Sequence, residues 1–248
     1  MEHCADKDIV LLEELASNAH VALNVIQYDG WLLKFSEGHT CRANSVSMIY
    51  PSTIDICEKI AYCEKMYSEQ KLPCVFKLTD GDDETARILA EQGYGEVTPT
   101  DVMTKEIDDT AMPDGDIVFF DKPADEWLRA YFDFEGFGVA GRATYRRMLD
   151  KVCVDTKYVA IKEHGEIIAV ASSAAERGYM LIQNVVVCPD FRRKGYGKAL
   201  CKALIAQGKE DGAKTAWLQV VQSNEAAYRL YESLGFRKAY SYRYMKQG

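Results

Sequence analysis

Apolar residues recur at helical spacing near the start of the chain. There Ile9, Leu11, Leu12, Leu15, Ala16 and Ala19 form one broad stripe over 8–23, with Glu13, Glu14 and Ser17 opposite. Two strand-like runs follow: 28–35, which opens on the Asp29-Gly30 turn, and 43–50, which alternates and stops at Pro51. The spacing of Ile56, Ile60, Cys63, Met66 and Tyr67 predicts a helix from Thr53 that ends before Pro73. A short strand over 75–78, a helix opened by Asp82-Asp83-Glu84 and closed by Gly93, and a strand over 96–107 complete this part.

The run 108–116 is polar and acidic and contains Pro113 and Gly115, so it reads as a linker between domains at 1–110 and 116–248. Beyond it the pattern predicts a strand at 117–120, then helices at 125–132 and 142–152 flanking Gly136-Phe137-Gly138. A hairpin of 158–162 with 167–174 and a strand over 179–187 come next. A helix (197–208), strand (214–221), helix (224–234) and strand (238–246) close the chain. This order repeats that of the first part, with Gly93 aligned on Gly235 and Pro51 on Pro189, which predicts a divergent duplication.

Composition narrows the classes. Of 248 residues 48% are apolar, enough to fill a core. The net charge of −8 and pI near 5.2 argue against nucleic-acid binding, which needs a basic face. Eight cysteines are scattered without a C-x-x-C pair or zinc spacing, so no metal is expected and free thiols in a reducing, cytoplasmic setting are. The start of the chain has no basic, then apolar, leader pattern, and no run is long enough to span a membrane.

The positive charge is local. Val185-Val186-Val187 favours a buried strand, Pro189 ends it, and Leu200, Ala203 and Leu204 resume helical spacing after Gly197. Between them lie Arg192, Arg193, Lys194, Gly195, Tyr196, Gly197 and Lys198. Glycines that admit close backbone approach, N–H groups at a helix start and four basic side chains together make a diphosphate site.

Arg192-x-x-Gly195-x-Gly197 after that strand resembles the acyl-CoA pyrophosphate loop of the GNAT superfamily of N-acetyltransferases. Asn224, Ala227, Tyr231 and Gly235-Phe236 resemble its N-x-x-A-x-x-x-Y-x-x-x-G-F helix. The resemblance covers the region from 116 onward well and the first part loosely. It implies an α/β fold of the α+β kind, a mixed and mostly antiparallel sheet flanked by helices, here as tandem GNAT-like halves with the first degenerate. It also implies acetyl-CoA as cosubstrate, held by 192–198, by backbone groups of Val185 and Val187 and by Asn224 and Tyr228. Tyr231 is the implied proton donor to the leaving thiolate.

The acceptor is then a primary amine of a small molecule or an amino terminus, its identity open. For the general base, Gln183 and Asn184 are not basic enough, and Glu135 or a water molecule remain as alternatives. A non-catalytic acyl-CoA-binding or sensing protein, with an interaction role for the first half, keeps the same loop and is the competing reading. In the first half the loop 52–57 has no glycine, Arg or Lys and carries Asp55, so one cofactor per chain is expected. That half is expected to pack, or to wall the acceptor cleft through Trp31, Phe35 and the run 36–44. A homodimer stands as an open option for its assembly.

Overall fold

The computed structural model describes residues 7–248; Cys4 and the chain's first residues lie outside the described residues. In chain order, α1 (Lys7–Ala19) precedes β1 (Asn24–Tyr28), β2 (Trp31–Phe35), β3 (Val46–Met48), α2 (Ile56–Glu69), β4 (Val75–Thr79), α3 (Asp83–Glu91) and β5 (Tyr94–Glu106). After the linker come β6 (Asp116–Phe120), α4 (Asp125–Glu135), α5 (Val139–Leu149), β7 (Asp155–Glu163), β8 (Glu166–Glu176) and β9 (Tyr179–Val187). The chain ends with α6 (Tyr196–Glu210), β10 (Thr215–Val221), α7 (Glu225–Ser233) and β11 (Arg237–Gln247).

The eleven strands of the described residues join in one sheet, ordered β1-β2-β3-β4-β11-β5-β10-β9-β8-β7-β6. The centre of this order departs from the chain order. β11 lies between β4 and β5, and β5 lies between β11 and β10, with every one of these contacts antiparallel. The final strand of each part is therefore paired with the penultimate strand of the other. Most neighbours are antiparallel, and the exceptions are the parallel pairs β3–β4 and β9–β10.

Alternation along the strands divides the core into two layers. Met103, Met180, Ile182 and Leu218 face α6 and α7, while their neighbours Val102, Leu181 and Trp217 face α1. Met245 packs with Ile60, Tyr67 and Leu89 of α2 and α3, whereas Tyr244 belongs to the α1 side. Helices α2, α3, α6 and α7 thus cover one face, and α1 the other. Trp127, Phe132 and Tyr145 of α4 and α5 pack against Tyr158, Ala160 and Val186 on the side of α1.

Three expectations need correction. Glu13 is not on a solvated helix face: it is buried, its carboxylate 2.5 Å from Lys77 Nζ and accepting from the Tyr240 hydroxyl at 2.8 Å. A buried ion needs a partner, and here the partner comes from the sheet beneath. The run Asn24–Tyr28 is a strand that its alternation-poor sequence did not suggest; pairing Asn24–Phe35 through Tyr28–Trp31 at the sheet edge supplies it. Trp31 and Phe35 do not wall a cleft, because both are buried in the core with Phe76 and Tyr67. The run 36–44 does reach the second part: Glu37 accepts from Thr144 Oγ1 at 2.6 Å and pairs with Arg147 at 2.8 Å, and His39 meets Phe137 edge-on.

Candidate active site

The parallel pair β9–β10 is in register only from Tyr179–Thr215 to Leu181–Trp217. Both strands run on, β9 to Val187 and β10 to Val221, while β10 stays paired with β5 along its whole length. The unpaired ends open a wedge in the sheet that leads to the N-terminus of α6.

A bulge in β9 shapes one wall. Its register with β8 passes from Val186–Val170 to Gln183–Ser172, and Asn184 within the slip has φ 57°, a left-handed conformation that Asn tolerates better than β-branched residues. The side chain is fully engaged: Nδ2 donates to the Tyr145 hydroxyl at 2.9 Å and to Ser172 Oγ at 2.8 Å, and Oδ1 accepts from the Tyr131 hydroxyl at 2.9 Å. Burial pushes both phenols up, Tyr131 to about 12. Both therefore stay protonated. Sequence reasoning weighed Asn184 only as a base; an Asn inside a Val/Ile-rich strand was the available sign of a bulge.

At the wedge mouth, Gly195 has φ 91° and stands at the N-cap of α6. A Cβ there would meet nothing within 4 Å, so its requirement is conformational. Gly197 is different: its Cβ would lie 3.1 Å from Leu230 and 3.9 Å from Val187, so glycine lets α6 close against α7 and the end of β9. The first intrahelical bond is Ala199 N to Gly195 O at 3.0 Å, which leaves the N–H groups of Tyr196, Gly197 and Lys198 as the helix's first turn.

The basic side chains diverge. Arg192 Nε donates to the Val187 carbonyl at 3.2 Å, and Lys194 lies 4.8 Å over the Phe191 ring. Arg193 and Lys198 have no ion-pair partner among the described residues. The Tyr196 hydroxyl donates to Glu163. On α7, Asn224 is the N-cap and accepts from Ala227 N at 3.2 Å. Partial burial raises the Tyr228 phenol, and so does Asp101 of β5, to which its hydroxyl turns. Asp101 also accepts from Gln222 at 2.8 Å and Ser241 at 2.9 Å and pairs with Lys238 at 3.1 Å. Burial alone would raise the Asp101 carboxyl, and these partners together hold it below its usual range.

Tyr231 sits in the core among Leu200, Cys201, Leu204 and Phe236, 9% exposed. Burial pushes its phenol well up, and its hydroxyl has no hydrogen-bond partner among the described residues. Glu135 ends α4; burial raises its carboxyl, while Arg42 and Arg192 oppose the rise. Glu135 therefore feels both Arg192 of the basic loop and Arg42, a residue of the first part that carries no sequence motif.

In the first part the corresponding loop is already filled. The Asp29 carboxylate accepts from Thr53 N and Ile54 N, both at 2.8 Å, and from Thr53 Oγ1 at 2.9 Å, with Lys59 Nζ 3.3 Å away. Asp55 caps α2 by accepting from Cys57 N at 2.9 Å. An internal carboxylate thus takes the donors that an anion would need.

Among the described residues no group of His, Cys, Asp and Glu could hold a metal ion, and no helix is long and apolar enough to cross a membrane. The family described as "Probable histone acetyltransferase Rv0428c C-terminal" matches residues 7–245, and the chain belongs to it, and with it to the acyltransferases of the GNAT superfamily. The chain is 26% identical over 237 residues to the uncharacterized N-acetyltransferase YobR of Bacillus subtilis, covering 92% of this chain and 94% of that protein. It is 39% identical over 79 residues to the ribosomal protein bS18-alanine N-acetyltransferase of Escherichia coli, a stretch covering 32% of this chain and about half (53%) of that protein. Among solved structures, a GCN5-related N-acetyltransferase from Kribbella flavida superposes with a TM-score of 0.71 at 16% identity, covering 96% of this chain and 95% of the other. A tandem GNAT protein from the clavulanic acid biosynthesis pathway superposes at 0.66 with 12% identity over 99% of this chain and 96% of its own. These two likenesses show the fold: one open mixed sheet flanked by helices.

Proposed function

We propose that the chain transfers an acetyl group from acetyl-CoA to the primary amine of a small molecule or an amino terminus, with the donor held in the wedge between β9 and β10. The supporting observation is the convergence at Gly197 of the strand end at Val187, the first turn of α6 and the α7 helix that carries Tyr231. The N–H groups of Tyr196, Gly197 and Lys198 point where a diphosphate would lie, and Arg193 and Lys198 add charge without losing an existing partner. Rotation of Arg192 away from the Val187 carbonyl would supply a third cation and release a strand acceptor for pantetheine. Asn224 and Tyr228 serve by fixing α7, through its cap and through Asp101.

Acetyl-CoA supplies an acyl group already activated as a thioester. The protein's residues then hold the geometry and move protons. The acceptor nitrogen forms its bond to the acetyl carbon as the C–S bond breaks; the amine gives up one proton and the thiolate takes one. Tyr231 is the donor to sulfur, its proton retained by burial until that step. Glu135 or a water molecule receives the amine proton, and the raised carboxyl of Glu135 suits it to that task. The first half binds no second cofactor, because Asp29 occupies its loop. A reducing, cytoplasmic setting is part of this reading, supported by cysteines scattered without a pairing pattern.

The test is thiol release from acetyl-CoA against a broad amine panel, with calorimetry for stoichiometry. Turnover with one site per chain supports the proposal; stoichiometric binding without turnover on any amine favours an acyl-CoA sensor.

A further inference from the structure

On the face opposite α6, at the apex of the wedge, a cavity of about 20 Å³ lies beside the last paired residue Leu181 and beside Gln219, two residues past the last pair on β10. It is enclosed by α1, β2, β4, β11 and the short turn Cys41–Ala43, so both parts of the chain build it. What lines it is a set of donors with few acceptors. Lys34 is 6% exposed, and its ammonium has neither ion pair nor hydrogen bond among the described residues. Arg42 is half-buried and likewise has neither ion pair nor hydrogen bond among the described residues; burial disfavours its charge, and the phenols of Tyr242, Tyr244, Tyr131 and Tyr145 act on it in the opposite sense. The Tyr244 hydroxyl is buried without a partner.

The charge count sharpens this. Glu13 is the acid that lines the cavity, and it is consumed by Lys77 at 2.5 Å and by Tyr240. Burial, Arg42 and Lys34 keep the His20 ring neutral. Lys34 and Arg42 thus remain without an ion pair in a largely buried site, with Glu13 and Glu135 acting on them only beyond ion-pair distance, which is costly for a protein unless something of opposite charge visits it. Burial and the neighbouring Lys77 lower the Lys34 ammonium to about 8, and the Glu13 carboxylate, already paired with Lys77, only partly opposes them.

We propose that the cavity is a carboxylate subsite of the acceptor pocket: the amine that is acetylated belongs to a molecule that also carries a carboxylate, received by Lys34, Arg42 and the Tyr244 hydroxyl. The volume selects the anion. A water needs about 10–15 Å³ of such space, so this cavity takes one or two oxygen-sized groups, the head of a carboxylate rather than a tetrahedral phosphate. The position fits the chemistry as well. A ligand anchored there lies on the side of the sheet away from α6, at the wedge apex, so its amine approaches the thioester from the face opposite the diphosphate. This inference rests on the acetyl-transfer reading for its substrate class, and the two are separable by experiment.

Two measurements on the full chain decide it. The first needs no turnover: acetate, the smallest suitable carboxylate, is titrated into the wild type, Lys34→Met and Arg42→Gln, with thermal midpoint and NMR shifts as readouts. Acetate stabilises the wild type and binds each variant about ten- to hundredfold more weakly. The second compares kcat/KM for glycine, β-alanine and γ-aminobutyrate with that for their amides. At least one acid exceeds its amide, and the ratio falls about ten- to hundredfold in the variants. No response of the wild type to acetate, or an acid-to-amide ratio of one throughout a panel that is turned over, overturns the subsite while leaving acetyl transfer standing. Acetate binding that depends on Lys34 and Arg42 in a protein that acetylates nothing keeps the anion site and removes the acetyl-transfer reading. Should Lys34→Met fail to fold, the half-buried Arg42→Gln carries both tests.

Discussion

Asn184, at φ 57° in the bulge of β9, donates its Nδ2 to the Tyr145 hydroxyl of α5 at 2.9 Å. The bond ties one wall of the wedge between β9 and β10 to α5 on the side of α1. Asn184→Ala removes this bond and those with Ser172 and Tyr131, and keeps a Cβ in a left-handed backbone. A loss of about 1–3 kcal/mol is expected in denaturant unfolding, with a parallel loss of acetyl-CoA affinity. Asn184→Gly, which relieves the backbone but not the bonds, should recover part of the stability.

Gly195 and Gly197 should fail in different ways. Gly195→Val forces a β-branched residue to φ 91° in open space, so the loop distorts, acetyl-CoA affinity collapses and the fold largely survives. In Gly197→Val the new side chain enters the contact with Leu230, so overpacking of about 1–3 kcal/mol appears first in thermal unfolding. Calorimetric Kd and Tm measured together separate the two.

Tyr231→Phe deletes a hydroxyl without a protein partner and leaves the ring in its core. The expected result is a fall in kcat of about 10²–10⁴-fold with acetyl-CoA affinity and Tm close to wild type. Full activity on a true acceptor would hand thiolate protonation to water.

A fragment of 116–248 should not fold as an independent unit. In the whole chain β11 is held between β4 and β5, and β10 pairs with β5. Without the first part these strands present bare edges, which aggregate. Size-exclusion chromatography and circular dichroism of the fragment test this, and co-expression with 1–110 should restore a soluble complex.

Lys34→Met should stabilise the ligand-free protein, by an amount that depends on pH. Burial and the neighbouring Lys77, opposed in part by Glu13, lower the Lys34 ammonium from its ordinary 10.5 to about 8. Below pH 8 both folded and unfolded chains are protonated, and the folded state bears the full burial penalty. Between pH 8 and 10.5 the unfolded chain holds more protons, so wild-type stability rises with pH relative to the variant. The advantage of Lys34→Met is largest at neutral pH and shrinks across that window in urea titrations.

The elements around the site follow from local rules and were legible in the chain. The valines before Pro189, the glycines of the loop and the apolar spacing after Gly197 require a strand, a tight turn and a helix start wherever they fold. Asn224 announces itself as a cap by its place before an amphipathic run. The loop after Pro51 was readable as poor in anion-binding devices. Its occupation by Asp29, more than twenty residues earlier, was not.

What the tertiary structure decided is which strand lies beside which, and what the buried charges face. β5 and β11 carry similar patterns and could each have closed its own part; their exchange depends on edges that exist only once both parts have formed. Glu13 looks solvated by helical spacing because the pattern cannot see Lys77 arriving from the sheet. Tyr244 lies some two hundred residues from Lys34 and Arg42, the three carry no motif, and they meet only where α1, β2, β4, β11 and the Cys41–Ala43 turn enclose one cavity. The sequence determined the basic glycine loop because backbone conformation and charge are local properties. The acceptor side was left to the fold, because it is made of long-range burial.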